Sequence, residues 1–206
     1  MIVPFVNSNN IHPIKDRLIS RSEKEKLLGH LGSVFWLYGL SGSGKSTLAV
    51  EMESRLHAQG THSVILDGDN LRTGLNNDLG FSDQERLENI RRVSEVAKLF
   101  LENGIIVIVS LITPFRKFRS LAKSIIGEKN FHEIFIKASF ATCQERDVKG
   151  LYDKADKGMV KTFTGKGSAF EEPNNDCLVI DSEKENQKES ADKLFEYILR
   201  SISMTQ

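Results

Sequence analysis

Short apolar, β-prone runs alternating with helix-compatible stretches predict an α/β fold, a mostly parallel sheet with helices on both faces in a three-layer arrangement. Three observations carry this. The β-prone runs recur along the chain, at 33–38, 63–67, 105–111, 131–137 and 177–181. Segments of helical period separate them. Between the first run and the first helix lies Gly39-Leu40-Ser41-Gly42-Ser43-Gly44-Lys45-Ser46, a complete phosphate-binding loop. A strand, this loop and a helix in succession specify the three-layer P-loop NTPase fold.

Residues 1–30 are polar and irregular, with the charged patch Arg21-Ser22-Glu23-Lys24-Glu25-Lys26, and read as an arm ending in a short helix over 22–30. The main domain is expected over 31–206. Ser33-Val34-Phe35-Trp36-Leu37-Tyr38 is the first strand. Thr47 to His57 follows as a helix with Leu48, Met52 and Leu56 on one face. Ser63-Val64-Ile65-Leu66-Asp67 is the second strand. Ser82-Asp83-Gln84-Glu85 is a capping box for a long helix carrying Leu87, Ile90, Val93, Ala97 and Phe100 on one side and stopped by Asn103-Gly104. The run Ile105 to Leu111 is β-branched and apolar apart from Ser110 and the unbranched-at-Cβ Leu111, as a strand covered on both faces should be. A helix is expected over 115–126, a strand over 131–137 and a short helix capped by Ser139 through Arg146. Residues 149–173, rich in Lys, Gly and Asp, form a loop-and-helix excursion. The last strand is 177–181, and a terminal helix over 183–201 carries Ala191, Leu194 and Ile198.

The 206 residues allow one α/β domain with extensions. Lys and Arg balance Asp and Glu at net zero, which gives no global field for nucleic acid or an anionic membrane. Cys143 and Cys177 lie far apart without metal-type spacing, so ordinary thiols in a reducing compartment are expected. No signal peptide or membrane-spanning run is evident, and the cytoplasm is the expected location.

The loop dictates the ligand chemistry. Gly39, Gly42 and Gly44 let the backbone turn its N–H groups toward a polyphosphate, with Leu40, Ser41, Ser43 and Thr47 completing the cradle. Lys45 brings a positive charge to the β/γ phosphates, and Ser46 offers a hydroxyl to Mg²⁺. The loop does not fix the reaction class. A guanine-reading Asn-Lys-x-Asp stretch is missing, and the third strand ends Val109-Ser110-Leu111 without the acid of a motor ATPase. Acid instead ends the second strand at Asp67-Gly68-Asp69, where one carboxylate can serve the metal and the other can take a proton from an acceptor hydroxyl. The competing reading of Asp-Gly is a plain turn. Arg86 and Asn89, three apart at the start of the long helix, and Arg72 before it suit an anionic acceptor. Arg91 and Arg92 read as a solvated face. Phe81 and Phe163 sit in polar loops, either as hydrophobic staples or as flat surfaces for a purine.

At these residues the chain resembles the adenylylsulfate kinase family. The specific stretches, besides the loop, are Asp67-Gly68-Asp69-Asn70-Leu71-Arg72, Asp78-Leu79-Gly80-Phe81-Ser82, Arg86-Leu87-Glu88-Asn89-Ile90-Arg91-Arg92, Lys149-Gly150-Leu151-Tyr152 and Phe163-Thr164-Gly165. The resemblance implies transfer of the ATP γ-phosphoryl to the 3′-hydroxyl of adenosine 5′-phosphosulfate, with Mg²⁺. It assigns Asp69 as the base, with Lys45 and Thr113 as the other catalytic candidates, and gives Ser46 and Asp67 to the metal. It implies an acceptor site of Asp69, Asn70, Leu71, Arg72, Phe81, Arg86, Asn89, Ile112, Thr113, Lys149, Phe163 and Thr164, in which Phe81 and Phe163 sandwich the adenine. It makes 149–173 a lid and the chain a homodimer. Since no sulfurylase domain fits within the chain, any coupling would be to a separate ATP sulfurylase.

Three departures stand out. Thr113 precedes Pro114 where the family often has a serine associated with phosphorylation; direct transfer is the expected route, with Thr113 chiefly a backbone and shape contact. Val148 replaces the usual Pro. After Phe163-Thr164-Gly165 the chain reads Lys166-Gly167-Ser168-Ala169-Phe170-Glu171, losing the family's Asp and Pro. The rivals are a kinase of this scaffold with another acceptor and an idle nucleotide-binding module.

Overall fold

The computed structural model describes residues 11–147, 150, 152–153, 169–174 and 177–204. Its strands are β1 (Val34–Tyr38), β2 (Ser63–Asp67), β3 (Ile106–Ser110), β4 (Phe131–Lys137) and β5 (Leu178–Asp181). They form one sheet in the order β2-β3-β1-β4-β5, and every pairing is parallel. The helices are α1 (Arg21–Leu28), α2 (Lys45–Ala58), α3 (Gly68–Arg72), α4 (Asp83–Leu101), α5 (Arg116–Ile126), α6 (Phe140–Arg146) and α7 (Gln187–Ile202). The α/β three-layer reading holds.

Alternation along β1 explains the layers. Its five residues are all buried, so both faces must be covered. Val34, Trp36 and Tyr38 pack with Ile90, Val93 and Ala97 of α4 and Phe118 and Ala122 of α5. Phe35 and Leu37 pack on the opposite side with Leu48, Met52 and Leu56 of α2 and Ala191, Leu194 and Ile198 of α7. Because β1 is central and its neighbours β3 and β4 lie on either side, the loop after β1 emerges at the crevice where strand order reverses, the usual ligand position in such sheets.

Local chemistry sets the helix ends. Ser82 and Glu85 form a reciprocal capping box at α4, as the sequence predicts. Ser20 and Glu23 do the same for α1, which starts at Arg21 and is closed after Leu28 by Gly29 with φ 75°. The helix of the arm is tied to the sheet's base: buried Glu25 accepts from Arg21 Nε at 2.7 Å and from the Gly32 N–H at 2.8 Å, and Arg21 Nη1 donates to Asn130 Oδ1 at 2.9 Å. The start of the terminal helix differs from expectation, and at Asp67 the competing reading of a plain turn does not hold. The terminal helix begins at Gln187 rather than Glu183, because Asn186 and Glu189 make its capping box while 182–185 turn back on Asp181. The Asp67-Gly68-Asp69 stretch is not a plain turn: Asp67 caps the one-turn helix α3 by accepting from the N–H groups of Asp69 (3.0 Å) and Asn70 (3.4 Å). Among the described residues, no helix is long and apolar enough to cross a membrane.

Candidate active site

A cavity of about 870 Å³ opens at the carboxyl ends of β1, β2 and β3. It is lined by the loop from Ser41 to Leu48, by Asp67, Gly68 and Asp69, by Arg72, Phe81, Arg86 and Asn89, and by Ser110 to Pro114. A volume near the upper end of the range for ligand sites leaves room for more than one small nucleotide moiety.

The loop needs its glycines for stated reasons. Gly39 has φ 151°, and a Cβ there would lie 2.3 Å from the Ile136 carbonyl oxygen. Gly39 itself and Leu40 lie behind the cavity wall, with Leu40 packed on Cys143 and Tyr152. The Tyr152 hydroxyl donates to the Ser41 carbonyl at 2.8 Å, bracing the cradle from α6's side. Burial raises the Cys143 thiol above its ordinary value, so it acts as packing. Lys45, 8% exposed, donates through Nζ to the Leu40 carbonyl at 2.6 Å and toward Ser43 Oγ at 3.4 Å, which places its charge over the loop.

Ser46 and Asp67, expected at the metal, meet: Ser46 Oγ donates to Asp67 Oδ2 at 2.8 Å. Ser110 Oγ lies 3.1 Å from Ser46 Oγ. Burial opposes ionisation of Asp67, but hydrogen bonds from Ser46, the N–H groups of Asn70 and Asp69, and Ser110 outweigh it and hold the carboxyl below its ordinary value. One ionised carboxylate with hydroxyl oxygens beside a phosphate cradle is a donor set that fits Mg²⁺, a hard cation that keeps waters and phosphate oxygens as its other ligands. Ser110 escaped the sequence reading because it is not acidic. Its signal was its place: it ends β3, directly opposite Asp67 in the β2–β3 register.

On the far wall Phe81 is 56% exposed, so it is a presented ring and not a buried staple. The Arg72 guanidinium stacks 4.3 Å from its centroid, and that of Arg86 lies 6.0 Å away. Arg72 is aimed by donating to the Leu79 and Gly80 carbonyls at 2.9 and 3.0 Å, and Arg86 Nε donates to the Phe81 carbonyl at 2.8 Å. Burial lowers both guanidinium pKa values, and Arg72 adds repulsion on Arg86. Two half-buried cations of like sign beside an exposed ring suit an anion attached to an aromatic base. Asn89 lies in the same wall, 5% exposed. Asp69 is exposed and lines the cavity next to Arg72. Asn70 lies on α3 beside it, whereas the Leu71 side chain packs against the core. Arg91 and Arg92 are surface residues paired to Glu88, and Arg92 also grips Asp78 at 2.7 and 2.9 Å.

Ile112 and Thr113 line the cavity. The Ile112 carbonyl accepts from the Gly39 N–H at 3.3 Å, joining the two loops. Thr113 is 2% exposed and has φ 42°, an outlier for a β-branched residue. Its hydroxyl accepts from the buried Trp36 Nε1 at 2.9 Å and its carbonyl accepts from Arg119 Nη1 at 3.0 Å. Both polar handles point into the core. Thr113 nonetheless lines the cavity, with its hydroxyl and carbonyl both engaged by core residues. Arg119, 3% exposed, also donates to the Glu171 carbonyl at 2.9 Å, pairs with Glu133 at 3.0 Å and lies 4.5 Å from the Tyr38 centroid. It fastens the exit of the 149–173 excursion to the Thr113 turn. Phe170 stacks on Phe135 and Tyr38 at 5.7 and 6.3 Å in the same fastening. Lys149, Phe163 and Thr164, with Val148 and Lys166, lie outside the described residues.

At its other end the cavity is lined by Arg146, Asp147, Ser182, Glu185 and Gln187. Arg146 is held by Ser182, donating to its carbonyl at 2.7 Å and to its Oγ at 3.1 Å. The sequence reading missed this end, since the residues come from two distant segments that only the β4–β5 pairing brings together.

Comparison with known proteins gives the family. The family profile described as adenylylsulphate kinase matches residues 31–181. The adenylyl-sulfate kinase of Bacteroides fragilis is 48% identical over 196 residues, 95% of this chain and 97% of its own. That of Bacillus licheniformis is 49% identical over 180 residues, 87% of this chain and 91% of its own. Among solved structures, the APS kinase CysC of Mycobacterium tuberculosis, in complex with AMPPNP and APS, superposes with a TM-score of 0.75 at 40% identity, covering 82% of this chain and 96% of that one. With the phosphate loop, the Asp67 cap and the arginine-flanked ring all in one crevice, the chain belongs to the adenylylsulphate kinase family.

Proposed function

We propose that this protein is an ATP-dependent adenylyl-sulfate kinase, converting adenosine 5′-phosphosulfate to 3′-phosphoadenylylsulfate. The observation that carries the reading is one cavity holding both a phosphate cradle and an exposed ring beside two aimed guanidiniums. The cradle and the N-terminus of α2 bind the ATP phosphates, and the Arg146 end of the cavity receives the rest of that nucleotide. Phe81 stacks on the acceptor's adenine, with Phe163 as the assigned second ring. Arg72, Arg86 and Asn89 hold the anionic phosphosulfate and ribose side.

In the reaction the acceptor's 3′-oxygen forms a bond to the γ-phosphorus and the bond to the β-bridging oxygen breaks, releasing ADP. Asp69, exposed at the junction of the two subsites, takes the hydroxyl proton. Lys45 swings from the Leu40 carbonyl onto the β/γ oxygens and stabilises the charge that spreads over the moving phosphoryl. Ser46 and Asp67, with Ser110 beside them, would hold Mg²⁺, whose charge neutralises the phosphates when bound. We read the chain as a cytoplasmic homodimer served by a separate ATP sulfurylase; the exposed apolar residues Leu18, Ile19 and Leu27 of the arm support self-association.

The test is ADP release with and without acceptor. Adenosine 5′-phosphosulfate should stimulate the rate by about ten-fold or more over ATP alone. Stimulation only by another nucleotide-like acceptor would move the assignment to that acceptor, and nucleotide binding without turnover would remove the kinase reading.

A further inference from the structure

Asn76 is fully buried, lies outside the cavity wall, and keeps a side-chain oxygen with no hydrogen-bond partner. A buried orphan acceptor calls for a reason. Its other end supplies one: Asn76 Nδ2 donates to Asn89 Oδ1 at 3.0 Å. Asn76 is itself held on both sides, its N–H donating to the Leu71 carbonyl at 2.9 Å and its carbonyl accepting from the Leu79 N–H at 3.2 Å. Arg92 clamps the same loop through Asp78 and the Leu75 carbonyl. The backbone that carries the donor aimed at Asn89 is thus held in place, and in the observed arrangement the end left unpaired is an oxygen, whereas turning both amides over would leave a buried N–H donor orphaned instead.

An amide has one acceptor end and one donor end. With its oxygen turned to Asn76, Asn89 has its Nδ2 directed away from that bond, and Asn89 is a wall residue of the cavity that also holds Arg72 and Arg86. The pair has a second self-consistent arrangement, with both amides turned over, in which Asn89 would show the cavity an oxygen instead. Phosphosulfate and ribose present mainly hydrogen-bond acceptors, and Arg72 and Arg86 add positive charge to the same wall, so only the donor-out arrangement complements the acceptor. We propose that Asn76 is a positioning residue that sets the polarity of Asn89, keeping its amide N–H groups toward the acceptor substrate. This rests on the function proposed above, which supplies the chemistry of the acceptor.

The test compares KM for adenosine 5′-phosphosulfate, KM for ATP, kcat and melting temperature in the full-length wild type and in Asn76→Asp, Asn76→Leu, Asn89→Leu and the Asn76→Leu/Asn89→Leu pair. In Asn76→Asp the new carboxylate can only accept, so Asn89 turns over and shows the acceptor an oxygen; acceptor KM should rise about ten-fold, the worth of one hydrogen bond, while ATP KM stays within about two-fold. Asn76→Leu carries no charge and keeps the size of the side chain, so it reads the same effect if the carboxylate does not fold; acceptor KM should rise about three-fold or more. In the Asn89→Leu background Asn76→Leu should add nothing to acceptor KM, because the effect passes through Asn89. A merely structural Asn76 would lower the melting temperature and shift both KM values together. That outcome, an unchanged acceptor KM in Asn76→Leu, or additive effects in the pair would overturn the proposal. The wild type separates the two claims: absence of acceptor-dependent turnover there refutes the function and this inference with it, whereas normal turnover with unaffected variants refutes the role of Asn76 alone.

Discussion

Replacing Arg119 by methionine should weaken the fold by about 3 kcal/mol. The substitution keeps most of the stem and removes the guanidinium, which is 3% exposed and makes three polar contacts and one ring contact: Thr113 O at 3.0 Å, Glu171 O at 2.9 Å, Glu133 Oε1 at 3.0 Å and the Tyr38 ring at 4.5 Å. Breaking a buried ion pair by deleting one partner costs about 3–5 kcal/mol, because the remaining charge is stranded. Glu133 keeps 27% of its side chain exposed, so water relieves part of that penalty and the lower end applies. The two carbonyl bonds are not added on top, since the measured figure already includes the contacts such a pair makes. With a urea slope of about 2–3 kcal/mol/M, the unfolding midpoint should fall by about 1 M. Adding Glu133→Gln should recover part of the loss, because the stranded charge is then gone. The Glu171 amide, which donates to the Pro114 carbonyl at 2.8 Å, should exchange its hydrogen faster in Arg119→Met. A midpoint shift below about 0.3 M, or no recovery in the double variant, would refute the reasoning.

Two further outcomes follow from the same geometry. Phe81→Ala should raise acceptor KM by about 10- to 100-fold, the worth of one base–aromatic stack, and leave stability nearly unchanged because the ring is 56% exposed; steady-state kinetics and a thermal melt check both halves. Glu88 is held at about 2, first by its hydrogen bonds from Arg91, which outweigh the opposing effect of burial, and then by the one from Arg92. Its folded pKa is therefore below the ordinary 4.5, so its stabilisation is fully present above that pH and disappears as pH falls from there to about 2. Glu88→Gln should accordingly be less stable than wild type at pH 6 and converge with it on acidification; a difference independent of pH would contradict this.

What the sequence made legible was local. The phosphate loop, the Ser82–Glu85 cap and the mostly apolar third strand are each written within a few residues, and each stands close to where it was expected. Asp67 was ambiguous because Asp-Gly serves turns as well as sites; the structure gives it both tasks, as cap of α3 and as partner of Ser46. Phe81 could not be decided from its neighbours in sequence, since exposure depends on Arg72 and Arg86 arriving from two helices. Ser110, Asn76 and Arg119 were invisible for a related reason. A serine at a strand end, an asparagine in a loop and an arginine on a charged helix are ordinary locally, and acquire meaning only from β2–β3 register, from Asn89 and from Glu133. The late start of α7 shows the limit of periodicity alone, because the cap at Asn186 and Glu189 decides the boundary.

The most direct measurement uses ATP labelled at the γ-phosphorus with adenosine 5′-phosphosulfate as acceptor, followed by location of the label in the nucleotide product. Two ligands seated on opposite walls of the crevice should leave the label on the ribose 3′-oxygen, in step with ADP formed. Label recovered only as inorganic phosphate, or attached elsewhere on the acceptor, would contradict the account.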